Sequence, residues 1–213
     1  MTGVANRQAS MRVLTTKDQS SSSSSCFEAK VQLRHGHGQR VILGNIDREY
    51  RDSVELAVTW VSIHFNALNK HIMGTSRRSF MTKYEDLVLE VWDLRNPVEG
   101  YSGGLSIALA VLGATMGCPL NKTICGVTGG LNLDGLVIPV GDSKAKVLLA
   151  QRLGFTKLLM PGASYMDVME EERASTDGGG GGGSSVREYC HNALVPVANM
   201  LEVLSHMVPG KCS

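Results

Sequence analysis

The chain has no cysteine pair spaced C-x-x-C, no concentrated basic charge, no long apolar run and no P-loop. Each absence removes a class of function. The five cysteines, Cys26, Cys118, Cys125, Cys190 and Cys212, are an odd number without metal-site spacing. A zinc site and a disulfide framework are therefore not expected, and a reducing compartment is. A formal net charge of +1 gives no electrostatic footprint for nucleic acid. No run reaches the roughly 18 apolar residues that a membrane-spanning helix needs. The pattern G-x-x-x-x-G-K-[ST] does not occur, so the glycine run within Asp177–Ser185 reads as a flexible loop insertion rather than a phosphate cradle. His35-Gly36-His37-Gly38 is a turn whose histidines lack further ligands nearby, so no metal is expected.

What is present suffices for one core. Of the 213 residues, 43% are hydrophobic, which suits a single domain with tails. Met1–Lys17 holds Arg7, Arg12 and Lys17 and no acid, and Ser20–Ser25 follows. Residues 1–26 read as a disordered tail with a serine-rich linker. The alternative is an Arg- and Ser-rich transit peptide, which would direct the chain to the mitochondrial matrix rather than leave it in the cytoplasm. The folded domain is expected over 27–208, with the glycine-rich insertion at 177–185 and a short tail at 209–213.

Periodicity sets the elements. Phe27–Leu33 alternates as a half-buried strand does, and Arg40–Leu43 reads as its return strand in a hairpin. From Asp47 to Leu68, the residues Val54, Ala57, Val58, Val61, Phe65 and Leu68 recur at helical spacing, with Trp60 and His64 packing beside the stripe. Asp86–Trp92 alternates again and is a strand. Leu105–Met116 is small and apolar almost all round, so it should be a buried helix, closed by Gly117 and Pro119. Thr123–Val127 reads as a short strand and Gly129–Val140 as a hairpin. Asp142 or Ser143 caps a helix that Gly154 ends. Lys157–Met160 is a buried strand stopped by Pro161, Met166–Glu172 a short helix, Leu194–Val197 a strand, and Ala198–Met207 a last amphipathic helix. Helices and strands alternate, which predicts an α/β or α+β fold of mixed sheets with packed helices.

Two segments carry chemistry. Ser102 lies in Gly100-Tyr101-Ser102-Gly103-Gly104, just before a helix N-terminus. Free amides and the positive dipole end there favour an oxyanion, and the glycines at 103 and 104 admit a close backbone. Lys146 follows a helix start in Val140-Gly141-Asp142-Ser143-Lys144-Ala145-Lys146. The dipole at that end disfavours an ammonium, and burial adds to the effect, as a general base requires. Lys146 falls on the apolar face with Val147 and Ala150, and Lys144 falls outside it. A hydroxyl needs such a base, so the pair predicts a Ser-Lys hydrolase if the fold joins them. Gly100-x-Ser102-x-Gly104 also matches the G-x-S-x-G elbow of α/β-hydrolases, with only His191 and His206 downstream to complete a triad. A Ser-His-Asp esterase is thus a further reading.

With these residues in view, the chain resembles the C-terminal proteolytic domain of the Lon protease family, from about Phe27 to Met207. The family's P-K-D-G-P-S-A-G falls on Pro97-Val98-Glu99-Gly100-Tyr101-Ser102-Gly103-Gly104. Its T-G-x-P is similar to Met116-Gly117-Cys118-Pro119. Its M-T-G-E-I-T-L-R-G-x-V-L-P-I-G-G-L-K-E-K falls on Val127 to Lys146, and its I-K-T-V-I-I-P strand on Phe155 to Pro161. The resemblance implies a mixed α/β domain that assembles into hexameric rings. It implies hydrolysis of unfolded or damaged proteins and peptides, with Ser102 as nucleophile, Lys146 as base and Thr128 beside the lysine. Glu99 keeps the charge of the family's aspartate. Gly103 stands where the family has alanine, Tyr101 where it has proline, Gly130 where it has glutamate, and Asp142 where it has glycine. A carboxylate near Lys146 would raise its pKa and oppose its role. The family's ATPase module has no counterpart motif here, so no cofactor is expected in this chain and ATP would act only through a separate or missing module. A non-catalytic module for ring assembly or partner binding is the rival reading.

Overall fold

Alternating inward side chains build the first sheet. The computed structural model describes residues 7–16, 24–74, 79–93, 98–117, 120, 125–176 and 184–208. Strands β1 (Arg7–Thr16), β2 (Ser24–His35), β3 (Arg40–Gly44) and β4 (Glu85–Val91) lie in the order β1-β2-β4-β3. Met11 faces Ala29 and Ala29 faces Val91, while Val31 faces Leu89 and Leu33 faces Leu87. These residues are all buried, so the side-chain period of two turns one whole face of the sheet inward.

Two sequence expectations fail here. The disordered tail over 1–26 does not hold for residues 7–16 and 24–26. Arg7–Thr16 pairs antiparallel with Ser24–Leu33 along its full length and buries Met11, Val13 and Leu14. A compositional reading averages these few inward side chains with the serines that follow them. Residues 1–6 and 17–23 lie outside the described residues, as do most of the glycine-rich insertion (177–183) and the tail (209–213). The expected hairpin between Phe27–Leu33 and Arg40–Leu43 is also absent: β4 lies between them and pairs parallel with β3. The turn explains this. The Asp86 carboxylate on β4 accepts from His37 N at 2.8 Å and Gln39 N at 2.9 Å, which carries the chain over the start of β4 to its far edge.

Helix α1 (Arg48–Met73) begins at Asp47, whose side chain accepts from Tyr50 N, and ends at Gly74 with φ 66°. It runs past Leu68 because Ile72 extends the buried stripe. Trp60 is buried and stacks on His64 with ring centroids 4.6 Å apart. Helix α2 (Gly104–Met116) is buried at every residue, as its composition predicts, and lies against β1, β2 and α1.

The second sheet is parallel: β5 (Cys125–Val127), then β8 (Lys157–Pro161), then β9 (Leu194–Val197). Its central strand β8 is buried from Leu158 to Pro161, as a parallel strand covered on both faces must be. Strands β6 (Gly130–Leu131) and β7 (Val137–Ile138) form the expected small hairpin. Helices α3 (Ser143–Arg152), α4 (Gly162–Thr176), α5 (Ser184–Ala193) and α6 (Met200–Met207) complete the domain. Helix α5 is an addition to the sequence reading, and it takes Ser184 and Ser185 out of the expected loop. Its Cys190 is buried with Val147, Phe155, Leu158 and Val168 in a second core. The mixed α/β class of fold holds.

Candidate active site

The serine turn is a short 3-10 segment, Tyr101–Gly103, that feeds directly into α2. Gly100 enters it at φ 77°, a conformation that glycine adopts without strain. Hydrogen bonds to neighbouring segments hold the turn. The Ser102 carbonyl accepts from Gly129 N at 3.2 Å, and the Gly129 carbonyl accepts from Leu105 N at 3.2 Å. The Tyr101 carbonyl accepts from Ser53 Oγ at 3.3 Å. Gly104 is needed for the close approach: a Cβ there would lie 3.1 Å from Leu131 N. Ser102 is half-buried, while Tyr101 is exposed. The Gly104 amide donates to the Tyr101 carbonyl within the turn, whereas the first amides of a helical start have no intrahelical acceptor.

Thr128 adjoins this turn through Gly129. Its amide donates to the Leu159 carbonyl at 3.0 Å, and its Oγ1 is buried without a hydrogen-bond partner among the described residues. Glu99 is exposed, next to Val98, which bonds Asn45 and Asp47 through its backbone.

Lys146 is 3% exposed, and its Nζ donates to the Gly141 carbonyl at 2.8 Å. Burial holds its pKa down to about 8, against the smaller opposing pull of the Asp142 charge. Asp142 occupies the N-cap position in the left-handed region, at φ 52°, and makes no side-chain cap. Its carboxylate instead accepts from Thr16 Oγ1 at 2.9 Å. Lys144, two residues from Lys146, differs in every respect. It reaches Glu172 at 3.0 Å and Glu171 at 3.6 Å, and its pKa is raised by the Glu172 hydrogen bond first.

The fold therefore gathers Ser102, Gly103, Gly104 and Thr128 in one place. It sets Lys146 on α3, which packs on β1, as the serine turn also does. Among the described residues no hydrogen bond joins Lys146 Nζ to Ser102 or Thr128; the lysine's bond goes to Gly141. Thr16 and the Gly141 carbonyl were not foreseen, because neither residue type signals chemistry in sequence. An elbow of the α/β-hydrolase kind is not formed: β4 ends at Val91 and Ser102 sits in a 3-10 turn. No group of His, Cys, Asp and Glu among the described residues could hold a metal. No helix among them is long and apolar enough to cross a membrane.

A mixed α/β domain with a glycine-set serine turn and a buried lysine on a helix packed against the same strand defines the class. The family model of the Lon protease (S16) C-terminal proteolytic domain matches residues 6–175, and the chain belongs to that family. The match includes β1, in agreement with its place in the sheet. Lon protease of Syntrophomonas wolfei is 27% identical over 168 residues, which is 79% of this chain and 20% of that protein. Lon protease of Bacillus thuringiensis is 26% identical over 181 residues, 85% of this chain and 20% of that protein. The archaeal Lon protease of Methanothermobacter thermautotrophicus is 26% identical over 174 residues, 82% of this chain and 23% of that protein. The chain spans about a fifth of the length of these relatives.

Proposed function

We propose that this chain hydrolyses peptide bonds through Ser102 and Lys146. The observation that carries the reading is the contrast between two lysines of one helical turn. Lys144 is tied to two carboxylates, whereas Lys146 is buried, has no acid bonded to its ammonium among the described residues, and is held down to about 8 by burial. A lysine poised there supplies a neutral amine at mildly alkaline pH. Such an amine keeps two N–H donors and gains a lone pair. One donor can stay on Gly141 while the lone pair takes the Ser102 proton.

Ser102 Oγ then attacks the peptide carbonyl, and its proton passes to Lys146. The tetrahedral oxyanion rests against the backbone amides of Ser102 and Gly103, since the Gly104 amide already donates to the Tyr101 carbonyl, and Lys146 returns the proton to the leaving amine. Water attacks the acyl-enzyme by the same exchange and frees Ser102. Thr128 Oγ1, buried without a partner, offers a hydrogen bond to the lysine. Glu99, exposed beside the turn, is a supporting charge. The given sequence holds no P-loop, so the reaction is assigned to this domain alone, and ATP would act only through an ATPase module outside these residues. Unfolded or damaged proteins as substrates, a homo-oligomeric hexameric ring, and a place in the cytoplasm or mitochondrial matrix complete the proposal.

A non-catalytic ring module is the second reading, favoured by the bond that Lys146 makes to Gly141 rather than to Ser102. Labelling with a serine-reactive phosphonate decides between them. Modification of Ser102, abolished in Lys146→Met, supports the enzyme. A folded, assembled sample with an inert Ser102 rejects it.

A further inference from the structure

The serine turn rests on the first turns of α1, and that bed is built from an unusual pair. Tyr50 is fully buried, and its hydroxyl has no hydrogen-bond partner among the described residues. The ring ends against Gly103, the residue after the nucleophile. A Cβ at position 103 would overlap the Tyr50 hydroxyl and would lie 2.6 Å from Cε2 and 2.8 Å from Cζ. Three atoms of one rigid ring block the position, so no rotation of a flexible chain end can clear it. One helical turn further, Ser53 Oγ donates to the Tyr101 carbonyl and stands 3.1 Å from where a Cβ on Gly104 would sit. Tyr50 is itself fixed: its amide donates to Asp47 at 2.7 Å at the start of α1, and its ring packs near Phe27 with centroids 6.5 Å apart.

We infer that Tyr50 is a positioning residue for Ser102, acting as a size-matched pair with Gly103. This rests on the reading of Ser102 as nucleophile. The ring takes the volume that a side chain at 103 would need. It thereby sets the height of the 3-10 turn above α1, and with it the direction in which Ser102 Oγ leaves the backbone. The pairing also explains a departure seen in the sequence. Glycine stands at 103 where the family pattern has alanine, because the tyrosine leaves no room for the methyl group. The hydroxyl makes no bond that would favour tyrosine for stability. Burying it without a partner carries a cost, which the position it gives the turn offsets.

The test is a double-mutant cycle on the full chain with Gly103→Ala, Tyr50→Ala and the combination. Hydrolysis of an unfolded protein substrate is followed together with amide hydrogen exchange of residues 101–105. Gly103→Ala alone should lower kcat at least tenfold with little change in KM, since it displaces the nucleophile without touching substrate binding. Adding Tyr50→Ala should recover most of that kcat, and exchange in the turn, faster in the single variant, should slow again. A Gly103→Ala protein with unaltered kcat, or a double variant no better than the worse single one, overturns the proposal. If the wild-type chain hydrolyses nothing, the dyad reading falls first. Exchange over 101–105 then decides the pairing alone: coupled changes support it, and additive changes overturn it.

Discussion

Lys146 Nζ donates to the Gly141 carbonyl at 2.8 Å, from a side chain that is almost wholly buried. A carbonyl stabilises the ammonium less than a carboxylate would, so burial dominates and the pKa falls from 10.5 to about 8. The consequence for stability has a definite sign. Below pH 8 the lysine is charged in both folded and unfolded chains, and the full penalty for burying the charge is present. Between 8 and 10.5 the unfolded chain binds more protons, so stability rises with pH. Lys146→Met should therefore abolish hydrolysis yet melt higher than wild type at pH 7. At about 1.4 kcal/mol per pKa unit, the gain is on the order of 3 kcal/mol. Melting curves at pH 7 and pH 10.5 check this; the difference should fade at the higher pH. A variant less stable than wild type at pH 7 would reject the buried ammonium.

Asp142 opposes the base from nearby while its carboxylate is bonded to Thr16. Asp142→Gly removes that charge and suits the left-handed backbone at this position. The rising limb of kcat/KM against pH should move to lower pH, by up to about one unit. An unmoved limb would show that solvent screens the carboxylate from the lysine.

Lys144→Met breaks the pairs with Glu171 and Glu172. Lys144 is partly exposed, so the loss should be no more than about 1 kcal/mol. Peptidase activity should stay within a factor of two or three. A loss as deep as that of Lys146→Met would mean that the two lysines have been assigned the wrong way round.

Tyr50→Phe removes a buried hydroxyl that has no partner among the described residues and keeps the ring. An unsatisfied buried hydroxyl costs about 1–3 kcal/mol. The variant should melt a few degrees higher, since about 1 kcal/mol corresponds to roughly 2–4 °C at this size. A lower melting temperature would reveal a partner for the hydroxyl in solution.

The helices and strands with strong periodicity are legible in the sequence itself. The α1 stripe from Val54 to Leu68, the all-buried α2 and the apolar β8 each follow from residue types in their own segment. So do the glycine-rich turn at Ser102 and the inward face of Lys146, because both depend on local backbone freedom and helical spacing. Strand β1 was hidden in a polar N-terminal segment, since its inward residues bury only once β2 and α2 cover them. The order β2-β4-β3 was hidden as well: what decides it is the Asp86 carboxylate meeting two amides far away in sequence.

By itself the sequence determined the family, the class of fold and the two residues that carry the proposed chemistry. These are properties of local pattern and of side-chain type. The tertiary structure alone decided what surrounds them. It sealed Lys146 from water, gave its ammonium to the Gly141 carbonyl, drew the Asp142 carboxylate to Thr16, and set the ring of Tyr50 beneath Gly103. Such effects depend on distance and burial between segments far apart in the chain. Coulomb and desolvation energies depend on where charges sit in space, which spacing along a sequence does not encode.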